Sequence, residues 1–270
     1  MASVGVTRIE STFMAAILLD VDGVLHVSGR PLPGAAAAVE RLRLEGHRLR
    51  FVTNSTTRSR AALTDELRGF GIRLDDDELQ TTPRAAAKAL AGRRVVALVM
   101  DAIVSDLDGV DLVGDDAEAV LIGGADEGPE TARVFSYPNL ARAFAQLDAG
   151  AELYCLHRNR WWQTSRGPLL DSGAFVAGLE YAAQVEATVL GKPSAAYFAD
   201  ALEALGADAG QAWMVGDDVE GDVEGAHAAG LRTVLVRTGK FREDDLARAR
   251  LTPDVVLESV AELPAWLEGR

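Results

Sequence analysis

Two aspartates one residue apart, Asp20 and Asp22, follow the apolar run Ala15 to Leu19, and Gly23 comes directly after them. A carboxylate in such a place can attack phosphorus and form an acyl phosphate, which divides one difficult hydrolysis into two easier steps. A second carboxylic acid two residues on can protonate the leaving oxygen and then deprotonate the water of the second step. Glycine at position 23 lets the backbone turn sharply beside a bulky dianion. Three further polar groups fit the same chemistry: Thr53 and Asn54 in VTNS, Lys192 in VLGKPS, and Asp217, Asp218 and Asp222 in VGDDVEGD. Acids gathered around a phosphate repel it and one another, so the site requires a hard cation. Mg2+, held by one or two carboxylates, waters and a phosphate oxygen, fits. Thr53 and Lys192 would then hold the remaining phosphate oxygens, the lysine as a point charge.

Such residues need strands to hold them. Ala15 to Leu19 is a short continuous apolar run, as in a strand buried on both faces of a parallel sheet. Pro33-Gly34 opens AAAAVERLRLEG, whose spacing and terminal Gly46 predict a helix. RLRFVTN (48 to 54) is the next strand, and a helix follows over about 58 to 69. That β-α-β-α order is the signature of a doubly wound parallel sheet. The rhythm returns as a helix over 194 to 206, a strand over 211 to 218 ending in acids, a helix over 223 to 230 and a strand over 231 to 239. A last strand near 254 to 257 and a helix with Pro264 near its start close the chain. Ligands of open α/β sheets collect at the carboxyl ends of the strands, where these polar groups fall. Between the halves, strands over 93 to 100, 117 to 123 and 151 to 157 alternate with helices near 83 to 90, 137 to 149 and 173 to 183. The expected fold is a Rossmann-like α/β core, 1 to 80 and 188 to 270, with an α/β cap inserted over 81 to 187.

DVDGVL, VTNS, GKPS and GDDVEGD, in that order, resemble the four motifs of the haloacid dehalogenase superfamily of aspartate-nucleophile phosphatases. Only residues 23 to 32 separate Asp22 from the helix opening at Pro33, which leaves no room for a cap there, whereas residues 55 to 191 lie between Asn54 and Lys192. A large cap after the second motif is similar to the subclass IIA branch. The resemblance implies that Asp20 is the nucleophile and a Mg2+ ligand, and that Asp22 is the general acid/base, with its backbone carbonyl a further ligand. It also implies that Thr53, with the backbone of Asn54 and Ser55, binds phosphate, and that Lys192 binds phosphate and the nucleophile. Asp217 would ligate Mg2+ and Asp222 would orient the waters of the metal, a role that Asp218 could share. Ser55 departs from the Thr-Asn-Asn commoner in that branch.

A second SDLDGV lies at Ser105 to Val110, but no unit with a threonine or serine ending a strand follows Asp106, so it reads as turn chemistry in the cap. A calcium loop starting at Asp20 would need an oxygen ligand at 24, glycine at 25 and glutamate at 31, where the chain has Val24, Leu25 and Pro31. In the cap, HRNRWW (157 to 162) follows a strand. His157, Asn159 and Trp162 either line a substrate entrance or, for the tryptophans, pack the cap or a dimer contact.

Composition narrows the partners. A net charge of -14 over 270 residues argues against nucleic acid and against an anionic membrane surface. No apolar run approaches the ~20 residues that cross a bilayer, and the N-terminus lacks an apolar core of secretory length, which points to the cytoplasm. The single cysteine, Cys155, reads as a buried thiol. Of 27 basic residues only Lys88, Lys192 and Lys240 are lysines, which marks each as worth inspection. The expected substrate is a small phosphate ester, phosphoramidate or pyrophosphate admitted under a cap, with a mutase or a non-catalytic phosphate-binding module as alternatives. A homodimer through the cap follows from the resemblance alone.

Overall fold

The structure is a computed structural model and describes residues 14–164 and 167–270. Six parallel strands form the first sheet, in the order Val255–Leu257, Arg232–Val236, Ala212–Gly216, Ala16–Asp20, Arg48–Thr53 and Leu79–Thr81. Ala16–Asp20 lies at the centre and is buried along its whole length. Its side chains divide by parity, as the two-residue period of a strand requires. Ile17 and Leu19 pack with Val39, Leu42, Phe51 and Leu67, while Ala16 and Leu18 pack with Tyr197, Phe198 and Met214. Helices Ala35–Leu44 and Arg60–Gly69 therefore cover one face and Ala195–Leu205 the other. Each Leu or Ile so buried contributes about 1.5–3 kcal/mol, and this packing holds the strand ends in place.

The second sheet is also parallel, in the order Thr188–Val189, Glu152–Cys155, Ala119–Ile122, Arg94–Leu98 and Asp111–Leu112. Its two faces likewise carry separate apolar clusters, one around Val120, Ile122 and Leu153 and one around Val95, Leu121 and Leu156. Cys155 belongs to the first cluster, and burial pushes its thiol up to about 12. The fold is thus α/β, with strands of the first sheet on both sides of the second in the chain. Thr188–Val189 pairs with Tyr154 and Cys155, so the second sheet extends past residue 187, where the sequence suggested the cap would end.

Two departures from the expected elements bear on the site. The chain after the acids does not start its helix at 223. It is already coiled over Val219–Glu224 with a wide, π-helical turn, and an α-helix follows only over Gly225–Ala228. The early start has a local cause, because Asp218 Oδ1 accepts from the N–H groups of Glu220 and Gly221 and caps the turn. Beyond Gly23 a small antiparallel hairpin, His26–Val27 with Arg30–Pro31, also replaces what the sequence left as connection. Among the described residues no helix is long and apolar enough to cross a membrane.

Candidate active site

Asp20 is the last residue of the central strand, Thr53 ends the strand on one side, and Gly216, followed by Asp217, ends the strand on the other. Parallel register alone therefore carries three of the expected residues to one edge of the sheet. Lys192 arrives from the loop before helix Ala195–Leu205 and lies buried with its Nζ 2.6 Å from Asp20 Oδ1 and 2.7 Å from Asp222 Oδ1. The second oxygen of Asp222 accepts from the N–H groups of Asp217 and Asp218, at 3.2 and 3.1 Å. Asp222 is thus saturated by one ammonium and two amides. Asp218 does something different: besides capping the wide turn, its Oδ2 lies 3.3 Å from Lys240 Nζ.

The electrostatics follow from this crowding. Burial pushes Asp20 well above the ordinary carboxylate range, with Lys192 pulling it down and Asp222 and Asp217 pushing it up. Burial and the neighbouring Asp222 raise Asp217 to about 7. For Lys192 burial disfavours the charge, but Asp20 and Asp222 overcome it and the pKa is raised well above its usual value. One oxygen from each of Asp20, Asp217 and Asp222 falls within 4.8 Å of the others. Three carboxylates against one ammonium leave two negative charges over, which a divalent cation would balance.

Asp217 supplies the more specific sign. Its Oδ2 accepts from the Lys240 N–H at 2.5 Å, while Oδ1 is buried with no hydrogen-bond partner among the described residues. An ionised oxygen left so costs several kcal/mol unless something coordinates it. Hard carboxylate oxygens with one of them unengaged suit Mg2+ or another hard cation. Gly23 approaches this group closely, at φ +88°, in the left-handed region that glycine adopts without strain.

The remaining expected residues divide into those that face the acids and those that fix loops. Asp22 has a side chain 54% exposed, with Oδ2 3.4 Å from Thr53 Oγ1 and Oδ1 3.6 Å from His26 Nε2. Ser55 donates its N–H to Thr53 Oγ1 at 3.0 Å. Asn54 spends its side-chain amide on the Lys192 backbone: Nδ2 donates to Lys192 O and Oδ1 accepts from Lys192 N, both at 2.9 Å. Beyond these bonds, the Asn54 backbone is left for an anion, with the second N–H of Nδ2. Tyr197, which the sequence did not single out, accepts from Thr53 N at 3.1 Å and lies 3.0 Å from Thr53 O.

His157 is buried and comes from the second sheet, with Nε2 3.2 Å from Thr56 Oγ1, three residues past Thr53. Burial holds its pKa below the ordinary value, Asp171 opposes that, and the charge of Lys240 adds to it. Asn159 is exposed and donates its N–H to His157 Nδ1 at 3.3 Å. Trp162 is partly buried, with an indole N–H that has no partner among the described residues. Asp106, expected in a polar turn, is instead buried at the end of the 3-10 helix Asp101–Asp106. Its Oδ2 accepts from Arg60 N at 2.6 Å, at the start of helix Arg60–Gly69, because that helix needs an acceptor for its first amide.

Comparison with known proteins agrees with this geometry. The family model described as haloacid dehalogenase-like hydrolase matches residues 17–113, and the one described as HAD-hydrolase-like matches residues 189–263. Haloacid dehalogenase-like hydrolase domain-containing protein 2 from Bos taurus is 37% identical over 248 residues, covering 91% of this chain and 93% of that protein. This chain belongs to the haloacid dehalogenase-like hydrolases. Within that family it is also similar to phospholysine phosphohistidine inorganic pyrophosphate phosphatase from Xenopus laevis, 38% identical over 256 residues, 91% of this chain and 92% of that one. Among solved structures, this haloacid dehalogenase-like hydrolase matches a glycerol phosphate phosphatase from Mycobacterium tuberculosis in complex with magnesium. The TM-score is 0.81 at 27% identity, over 93% of this chain and 76% of that one.

Proposed function

We propose that the protein is a Mg2+-dependent phosphatase of the cytoplasm that hydrolyses a small phosphorylated molecule through an aspartyl-phosphate on Asp20. The observation that carries this reading is the contact of Asp20, at the end of the central strand, with Lys192 Nζ at 2.6 Å, beside Asp217 with its unengaged buried oxygen. Lys192 favours the ionised, nucleophilic form of Asp20 and offsets the charge of an arriving phosphate. An oxygen of Asp20 would attack phosphorus while the bond to the leaving oxygen breaks. Asp22, half in solvent and within reach of Thr53, would give that oxygen its proton. A water then attacks phosphorus, Asp22 takes the proton of that water, and phosphate departs with Asp20 restored.

Asp20, the Asp22 backbone carbonyl and Asp217 would hold the metal, and Asp222 would keep Lys192 and the amides of residues 217 and 218 in place around it. When bound, Mg2+ supplies charge stabilisation to the phosphoryl oxygens. Thr53 and the Asn54 backbone would donate to those oxygens, joined by the Ser55 N–H once it leaves Thr53 Oγ1, and His157, Asn159 and Trp162 would bound the space above them. The region over 81 to 187 acts as the cap that excludes bulk water and large substrates. A homodimer would pair through its exposed apolar side chains, Tyr137, Phe144 and Tyr181.

The test is turnover of p-nitrophenyl phosphate and a panel of small phosphates with Mg2+. Phosphate released in step with substrate loss is expected. Phosphoryl transfer to an acceptor other than water, or no turnover across the panel, would overturn the reading.

A further inference from the structure

Residues 238–240 are packed onto the catalytic loop. Thr238 Oγ1 donates to Gly23 O at 2.5 Å, and Lys240 N donates to Asp217 Oδ2 at 2.5 Å. Gly239 lies so close that a methyl group on it would fall 2.4 Å from Gly23 Cα. The side chain of Lys240 is therefore rooted at the acid cluster. Its side chain is nevertheless 64% exposed, and among the described residues its ammonium has a direct contact to Asp218 at 3.3 Å. Lys192 offers a contrast, being buried and already shared between two carboxylates. It can meet the transferred phosphate but nothing further out on a substrate. Lys240 is the more exposed of the two side chains, next to the same acids. In a chain with three lysines among 27 basic residues, two of the three stand at this one site.

We propose that Lys240 binds a second anionic group of the substrate, on the leaving-group side of the transferred phosphate. This rests on the phosphatase reading and deepens it by naming a substrate class: phosphorylated compounds bearing a further phosphate or carboxylate. An exposed side chain with a flexible stem, its ammonium held by one long contact, can swing from Asp218 to such a group. A substrate with a cationic leaving group gains nothing from it and meets like charge.

The experiment measures binding without turnover. Methylenebisphosphonate, which carries two anionic groups, and methylphosphonate, which carries one, are titrated calorimetrically into the Mg2+-loaded native protein and into Lys240→Gln and Lys240→Arg. The glutamine variant is expected to weaken methylenebisphosphonate about tenfold and methylphosphonate less than about twofold, with arginine restoring most of the loss. An equal loss for both ligands would show that Lys240 only balances the acids, and no loss for methylenebisphosphonate would remove it from the site; either result overturns the proposal. Turnover of p-nitrophenyl phosphate by the native protein is measured alongside, so a failure of the phosphatase reading is seen separately.

Discussion

A methyl group placed on Gly23 would lie 1.9 Å from Asp217 Oδ2. No side chain fits there, and φ +88° adds strain for any residue with a Cβ. Gly23→Ala must displace either Asp217 or the loop that carries Asp22. The expected result is a folded protein, destabilised by about 1–3 kcal/mol, whose kcat/KM falls at least about 100-fold and whose Mg2+ affinity is weakened. Unchanged Mg2+ affinity measured by calorimetry would contradict the close contact as the reason for glycine.

Asp222 holds the buried Lys192 Nζ at 2.7 Å and, with its other oxygen, one buried and one partly buried backbone amide. Removing Asp222 leaves two backbone amides without their acceptor, which costs about 1–3 kcal/mol, while Lys192 keeps Asp20 at 2.6 Å. Asp222→Ala should therefore lower the unfolding free energy measured in urea by that amount as well as lose activity. A loss of stability below about 1 kcal/mol would mean that the pair is wetter than its burial implies.

Asp217 stands at about 7 against an ordinary 3.8, so the folded protein keeps this proton over a range where the unfolded chain has lost it. Binding more protons when folded means that stability falls as pH rises, beginning near the unfolded value and ending near the folded one. Asp20 is shifted in the same direction. His157, held below its ordinary value, acts in the opposite sense on acidification, so Asp217→Asn is the proper comparison. Metal-free native protein should thus lose more stability than Asp217→Asn between about pH 4 and pH 7. Mg2+, which selects the ionised carboxylates, should raise Tm more at the higher pH. Parallel melting curves for the two proteins would refute the shift.

Asp106 shares its local sequence with Asp20 but serves a helix start, accepting from Arg60 N at 2.6 Å. Asp106→Asn keeps an acceptor and should leave kcat/KM within about threefold, whereas Asp106→Leu removes the acceptor and should cost about 1–2 kcal/mol of stability. Loss of turnover in the asparagine variant with unchanged Tm would move the reaction to the second site.

Much of this was legible in the residues because strand order and motif order coincide. Asp20, Thr53 and Asp217 were readable as strand-end residues, since a parallel sheet delivers successive carboxyl ends to one edge. What was hidden depended on side-chain direction across long separations. Nothing local marks that Asn54 binds the backbone of Lys192, or that Asp222 takes the ammonium while Asp218 takes the turn amides and Lys240. The scarcity of lysine did point to Lys240, without saying where it would stand. Asp106 misled because its surrounding string suits a turn, while its actual partner lies in another element.

The measurement that bears most directly on the central claim is steady-state hydrolysis of p-nitrophenyl phosphate by Asp20→Asn with saturating Mg2+. Asparagine preserves the shape of the side chain but lacks the nucleophilic carboxylate, so kcat should fall at least about 10,000-fold while the protein remains folded. Turnover within about tenfold of the native protein would contradict a covalent role for Asp20.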